Sequence, residues 1–242
     1  MAPISKAQIK LIRSLQHKKF RDELGLFVAE GQKCIDELKK GFELVMEVTP
    51  ENATEAEIAQ MSGLKTPQGT IAVFKKKIIN QKLQITNGEL TLALDGIQDP
   101  GNLGTIIRTC DWFGVKNIVC SNDTADCYNP KVVQATMGAL TRVQLTYTDL
   151  VPFLQEAKEK GANIVGTLLN GENIYEKLST FDSRLSTLII MGNEGNGISQ
   201  AVRELITHPI RIPSYPPQAE TSESLNVAIA TAIVLAEFRR LG

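Results

Sequence analysis

From residue 90 to the C-terminus, short apolar runs alternate with segments of helical spacing, and polar or glycine-rich loops separate them. That alternation restricts the fold to strand, crossover helix and parallel strand. Such sheets bind ligands outside the carboxyl ends of their strands, so the loops that follow strands are where chemistry is to be sought. The first is in LDGIQDPGNLGTIIRTCDWFG, residues 94–114, where a strand ends in Asp95 and a turn-rich loop leads to Leu103, Ile106, Ile107, Cys110 and Phe113 at helical spacing. Asn102 is expected to cap this helix, because its side-chain oxygen can accept from free N–H groups of the first turn. Gly101 and Gly104 permit a sharp bend and close approach. Arg108 puts a fixed cation about a turn and a half into the helix, near a terminus that already favours anions. Taken alone, the stretch reads equally well as a capped helix with a surface arginine.

Two later stretches add polar groups to the same edge. A strand over residues 185–191 runs into MGNEGNGIS, where Gly192, Gly195 and Gly197 again permit close backbone approach and Glu194 stands between glycines. A helix is expected over residues 198–206. The glycine order is GxxGxG, not the GxGxxG of dinucleotide folds, which disfavours a nicotinamide dehydrogenase, and no Walker tripeptide occurs. The third stretch, IRIPSYPPQAETSESLNVAIATAIVLAE, has a short strand, a polar loop and a long apolar helix over residues 227–238. Ser224 reads as its cap, with Asn226 in the first turn, although capping alone could explain both. A helix so apolar must be buried against more than one partner, in the core or at a subunit interface. Between these stretches the pattern gives strands at 115–120, 143–147 and 163–167, helices at 132–140 and 150–160, and a loop at 168–173.

The front third is a smaller α/β unit of about 80 residues. Six Lys or Arg and no acid fall within residues 1–21. Lys6, Lys10, Arg13 and His17 recur at helical spacing behind a Ser5 cap, and Thr54 with Glu57 forms a second capping pattern. Strands follow at 26–28, 44–48 and 69–74, the last continued by Lys75, Lys76 and Lys77 as a positive edge, and residues 80–89 are the expected linker. The net charge of −1 hides this basic patch, because Glu47, Glu51, Glu55 and Glu57 cluster elsewhere. Four cysteines, Cys34, Cys110, Cys120 and Cys127, form no CxxC pair, so a metal site is not expected and reduced thiols in a cytoplasm are the simplest reading. No apolar run approaches the roughly 20 residues of a membrane helix, and the N-terminus lacks a signal-peptide core.

LDGIQDPGNLGTIIRTCDWFG, MGNEGNGIS and IP…ESLNVAIATAIVLAE resemble, in order and spacing, the three motifs of the SpoU class (TrmH-like family) of SPOUT RNA 2′-O-ribose methyltransferases. The segment KAQIKLIRSLQHKKFRDELGLFVAEGQKCIDELKKG is more loosely similar to the ribosomal-protein L30e-like RNA-binding domain that often precedes that fold. The resemblance implies a parallel α/β sheet with a deep trefoil knot over residues 90–242, an RNA-binding domain over 1–85, and a homodimer packed through the knot region. It implies S-adenosylmethionine held by Thr167, Gly192, Ile212 and Leu225. It also implies a catalytic set of Asn102, Arg108, Glu194, Ser224 and Asn226, with RNA, ribosomal ahead of transfer RNA, gripped by Lys6, Lys10, Arg13, Lys18 and Lys19. The loop SYPPQAETS departs from the family's shorter, glycine-containing run beside Ile212. The alternative is a catalytically silent RNA-binding protein on the same fold. An arginine base is costly because guanidinium holds its proton, so Arg108 is expected to clamp phosphate and stabilise developing alkoxide, with Glu194 holding Arg108 or Asn102 in place.

Overall fold

A computed structural model of the chain describes residues 3–77, 83, 88–177, 184–216 and 224–241. Ser5 caps α1 (Lys6–Ser14) in a full capping box with Gln8. The expected single basic helix is broken: Ser14 Oγ donates to Leu11 O at 2.7 Å, and the chain restarts at His17 as α2 (Lys18–Leu24). Gly25, at φ +64°, ends α2 in the left-handed conformation that glycine accepts without penalty. There follow β1 (Leu26–Glu30), α3 (Gln32–Leu38), β2 (Leu44–Val48), α4 (Glu55–Met61) and β3 (Ile71–Lys75). Thr54 and Glu57 close the predicted capping box at the start of α4. The three strands pair antiparallel in the order β1-β3-β2. The lysines ending β3 are therefore not a positive edge: β3 is the central strand, Lys75 pairs with Glu43 at 2.6 Å and Lys76 with Asp22 at 2.6 Å.

The second sheet begins with β4 (Leu90–Asp95), α5 (Pro100–Trp112), β5 (Asn117–Cys120) and α6 (Pro130–Thr136). The helix expected to reach residue 140 stops at Thr136, with Met137 at φ 49° and Gly138 at φ +87°. A Cβ on Gly138 would lie 2.3 Å from Glu37 Cβ, so the break is where this segment meets α3. The chain continues through β6 (Gln144–Tyr147), α7 (Leu150–Glu159), β7 (Asn163–Asn173) and α8 (Ile174–Lys177). After these come β8 (Thr187–Gly192), α9 (Gln200–Arg203), β9 (His208–Arg211) and α10 (Val227–Leu241). Two expectations change. Residues 168–173 belong to β7, whose register against β9 slips between Thr167 and Glu172, and α9 is only a short helix. Every pairing in this sheet is parallel, in the order β6-β5-β4-β8-β7-β9. The chain builds outward from β4 in one direction and then returns on its other side, so the order reverses between β4 and β8. That reversal leaves a crevice at the carboxyl edge.

Both sheet faces are covered, as a parallel sheet requires. Leu92 and Leu94 pack with α5, α6 and α10 on one face, and Ala93, Ile190 and Val202 pack with α7 and α9 on the other. The first core runs on without a break into the small sheet through Phe27, Phe42 and Phe74. Phe27 packs against Tyr128 at a tilt, with ring centroids 4.8 Å apart. Beside it the fully buried Arg21 donates from Nε and Nη2 to Asp126 Oδ2 at 3.0 and 2.7 Å, and from Nη1 to the carbonyls of Leu15 and Gln16. The small sheet is thus docked on the large one by a shared core and a buried ion pair. Most of the expected linker at 80–89 lies outside the described residues.

Candidate active site

The start of α5 differs from the sequence reading in a useful way. Asp99, not Asn102, is the N-cap: its Oδ1 accepts from Asn102 N at 2.8 Å, and Pro100 fills the first helical position, where no N–H is needed. Asn102 therefore stands in the first turn with its side chain free for other work. At α10 the exchange runs the other way. Asn226, not Ser224, is the cap, its Oδ1 accepting from Ala228 N at 3.0 Å and Ile229 N at 3.3 Å, while Ser224 lies exposed two residues earlier.

The loop after β8 is a small closed hairpin. Asn193 N and Gly197 N each donate to the other residue's carbonyl, at 3.0 and 2.9 Å, and Glu194 lies within it. The absence of a side chain at Gly192 is required by the chain's own backbone: a Cβ there would fall 2.4 Å from Gly197 C and Ile198 N. These three loops meet. Asn226 Nδ2 donates to Asn102 Oδ1 at 2.9 Å, and Asn102 Nδ2 donates to Glu194 Oε1 at 2.7 Å. A carboxylate can only accept, so the order of donors is fixed from the α10 terminus through both amides to Glu194.

Arg108 is exposed on α5 just over two turns from Pro100, further in than expected. Among the described residues its guanidinium makes no hydrogen bond or ion pair, so Glu194 holds Asn102 and leaves Arg108 free to meet an anion. Thr167 pairs with Ile210 across β7 and β9, Gly192 is the last residue of β8, and Ile212 follows β9, so the three stand on adjacent parallel strands. Thr167 Oγ1 donates to Ile190 O at 3.1 Å and ties β7 to β8. Ile212 is half-buried against the core, and Leu225 is half exposed beside Asn226.

A sequence model of the SpoU rRNA Methylase family matches residues 89–236. The chain belongs to that family. A model of the MRM3-like substrate binding domain also matches residues 6–53. The chain is 28% identical over 248 residues to the 23S rRNA (guanosine(2553)-2′-O)-methyltransferase RlmP of Bacillus subtilis, covering 96% of each protein. Among solved structures, a Porphyromonas gingivalis protein of the TrmH family superposes with a TM-score of 0.86 at 36% identity, covering 100% of both chains. An AdoMet-bound rRNA methyltransferase from Sinorhizobium meliloti superposes with a TM-score of 0.85 at 31% identity, covering 99% of this chain and 97% of the other.

The predicted RNA-contact residues separate into two groups. Lys6, Lys10 and Arg13 are exposed on α1 and make no ion pair among the described residues. Lys18 and Lys19 on α2 are engaged with Asp22 at 2.7 Å and Glu23 at 3.8 Å, and the Asp22 hydrogen bond raises the Lys18 pKa. A cavity of about 540 Å³ lies away from the SpoU motifs, between α2 and β6, and its Lys76 and Arg142 are already paired with Asp22 and Asp111. Sequence reasoning missed Asn193, whose side chain fixes the Glu194 hairpin, and Asp95, which accepts from Ser199 N at 2.7 Å. The signal for Asn193 was its place beside Glu194. None existed for the long-range bond of Asp95.

Proposed function

We infer that this chain is an S-adenosylmethionine-dependent methyltransferase acting on a ribose 2′-hydroxyl in structured RNA, with ribosomal RNA the first substrate to test. The observation that carries the reading is the donor chain from Asn226 through Asn102 to Glu194, with Arg108, which has no partner among the described residues, on the same helix as Asn102. It is supported by membership of the SpoU family and by relatives named as 23S rRNA 2′-O-methyltransferases.

When bound, the cofactor supplies an electrophilic methyl group on a sulfonium. The residues suited to hold it are the backbone at Thr167 and Gly192 and the apolar side chains of Ile212 and Leu225, a donor set that matches a neutral adenosyl group without a charged partner. The chain's own residues would hold the ribose 2′-oxygen in line with that methyl group and keep water away from it. This chain's task is positioning and charge control. Arg108 clamps the target phosphate and stabilises the oxygen as negative charge develops, and the hydroxyl proton passes to water or to the phosphate. Asn102, Ser224 and Asn226 orient the ribose and the loops.

The finer reading includes the deep trefoil knot formed by the segments after β8 and β9. It is supported by family membership and by the start of α10 lying against the loops of β4 and β8. It also takes residues 1–85 as an L30e-like RNA-binding domain, presenting Lys6, Lys10 and Arg13, and residues 90–242 as the methyltransferase domain. We place the enzyme in the cytoplasm as a homodimer packed through α10. The dimer is supported by the exposed Ile229 of α10 and by Trp112, 85% exposed at the end of α5, the helix against which α10 packs.

The test is ribose-methylation mapping of total RNA from cells with and without the protein, followed by transfer of labelled methyl to the mapped RNA in vitro. A nucleotide methylated only when the protein is present supports the reading. Saturable RNA binding without calorimetric S-adenosylmethionine binding overturns it in favour of a silent RNA-binding protein. Sedimentation velocity decides the dimer: a mass of two chains supports it and a monomer excludes it.

A further inference from the structure

We propose that Asn193 is a positioning residue for Glu194, a proposal that rests on the methyltransferase reading above. Its side chain makes bonds in two directions. Oδ1 accepts from Gly195 N at 2.9 Å and Asn196 N at 3.0 Å, which folds the hairpin around Glu194. Nδ2 donates to Gly96 O at 2.7 Å, across 97 residues of sequence. Gly96 is itself a fixed post, because its N–H donates to Ser121 Oγ at 2.8 Å. On the far side of the hairpin Ser199 N donates to Asp95 Oδ2 at 2.7 Å. The segment carrying Glu194 is therefore tied at both ends to consecutive residues, Asp95 and Gly96, at the end of β4.

That anchorage matters because β4 also launches the loop that carries Asn102. A tie between Asn193 and Gly96 sets the hairpin in register with the strand from which Asn102 is reached six residues later. Only then does Glu194 Oε1 meet Asn102 Nδ2 at 2.7 Å. Glu194 is exposed and Asn193 half-buried, so packing does not hold the carboxylate and the amide bonds must. Few side chains can replace it. Aspartate keeps the two acceptor bonds but has no donor for Gly96 O, and alanine keeps neither. A misplacement of about 1 Å in such a constellation costs roughly a hundredfold in turnover.

The experiment is a double-mutant cycle on this chain with the RNA that methylation mapping yields, measuring kcat, KM for RNA, calorimetric Kd for S-adenosylmethionine, and Tm. Asn193→Asp and Asn193→Ala are each made in the wild-type and in the Glu194→Ala backgrounds. The expected result is a fall in kcat of roughly a hundredfold with KM for RNA unchanged, and no further fall once Glu194 is gone. Asn193→Asp keeps the hairpin bonds and loses only the tie to Gly96 O, so its Tm falls less than that of Asn193→Ala and its cofactor Kd stays at the wild-type value. This separates positioning from unfolding even where the alanine variant is unstable. An equal loss of kcat in both backgrounds, or a loss seen only in KM, overturns the proposal. A wild-type chain that transfers no methyl group to RNA counts instead against the function on which the proposal rests.

Discussion

Asn226 Nδ2 lies 2.9 Å from Asn102 Oδ1 although 124 residues separate the two in sequence. The contact joins the first turns of α5 and α10, so two helix N-termini converge where Glu194 receives its hydrogen bond from Asn102. Helix N-termini favour negative charge, and two of them aimed at one place suit both a carboxylate and an incoming phosphate.

Because Asn226 caps α10 with its oxygen and serves Asn102 with its nitrogen, two substitutions separate the roles. Asn226→Ala loses the cap, at about 1 kcal/mol, and lowers Tm by about 2–4 °C for a chain of this size. Asn226→Asp keeps a capping oxygen, so its Tm stays near wild type, but it turns an acceptor toward Asn102 Oδ1 and loses methyl transfer. Thermal melts and methyl-transfer rates on the same samples check this. An aspartate variant with wild-type activity removes the amide chain from the mechanism.

Arg108→Ala is expected to abolish turnover while leaving S-adenosylmethionine affinity intact, because its guanidinium engages nothing among the described residues. Being exposed, it contributes within about 0.5 kcal/mol to stability. Arg108→Lys keeps the charge but not the bidentate fork and regains only a small part of the rate. Single-turnover transfer together with calorimetry decides the matter. An alanine variant that methylates RNA at the wild-type rate excludes Arg108.

What the sequence disclosed was local. Strand–loop–helix alternation was legible because each apolar run is short and punctuated, and the Ser5 cap and the Thr54–Glu57 box are complete within four residues. Where two capping residues lie close together, at Asp99 and Asn102 and again at Ser224 and Asn226, local preference could not choose between them. The backbone bonds settle it: Asp99 Oδ1 accepts from Asn102 N, and Asn226 Oδ1 accepts from Ala228 N and Ile229 N. Arg21 looked like one more member of a basic run. Its burial depends on Asp126, 105 residues away, which no charge pattern reveals.

The Arg21–Asp126 pair gives a stability prediction. Removing one partner strands a buried charge, so Asp126→Ala costs about 3–5 kcal/mol and Arg21→Met leaves Asp126 similarly unpaired. The double variant Arg21→Met with Asp126→Leu recovers much of that loss, because two apolar side chains leave no unpaired charge. Urea denaturation of the three variants measures it. Losses that simply add in the double variant contradict the pairing.

All four cysteines are free and buried. Burial pushes the Cys34 thiol up to about 11 and that of Cys127 up to about 12, and raises those of Cys110 and Cys120 as well. The thiolate is the reactive form, so a thiol reagent at pH 8 leaves the folded protein unlabelled and labels four sites in denaturant. Intact-mass spectrometry reads both states.

Asp22 sits between Lys18 Nζ at 2.7 Å and Lys76 Nζ at 2.6 Å. Burial works to raise its pKa, but the hydrogen bonds from both lysines outweigh it and the net shift is downward. A folded pKa below the unfolded value of about 3.9 means that the protein gains stability above that pH and loses it as the pH falls through the folded value. Asp22→Asn is therefore less stable than wild type at pH 7, and the difference closes in acid. The side chains of Asp22 and Lys18 are 43% and 66% exposed, so solvent and salt screen the pairs and the gap at pH 7 stays below about 1 kcal/mol. Urea midpoints of the two proteins across the acid range, at low and high salt, test the sign. A gap that widens as the pH falls contradicts it.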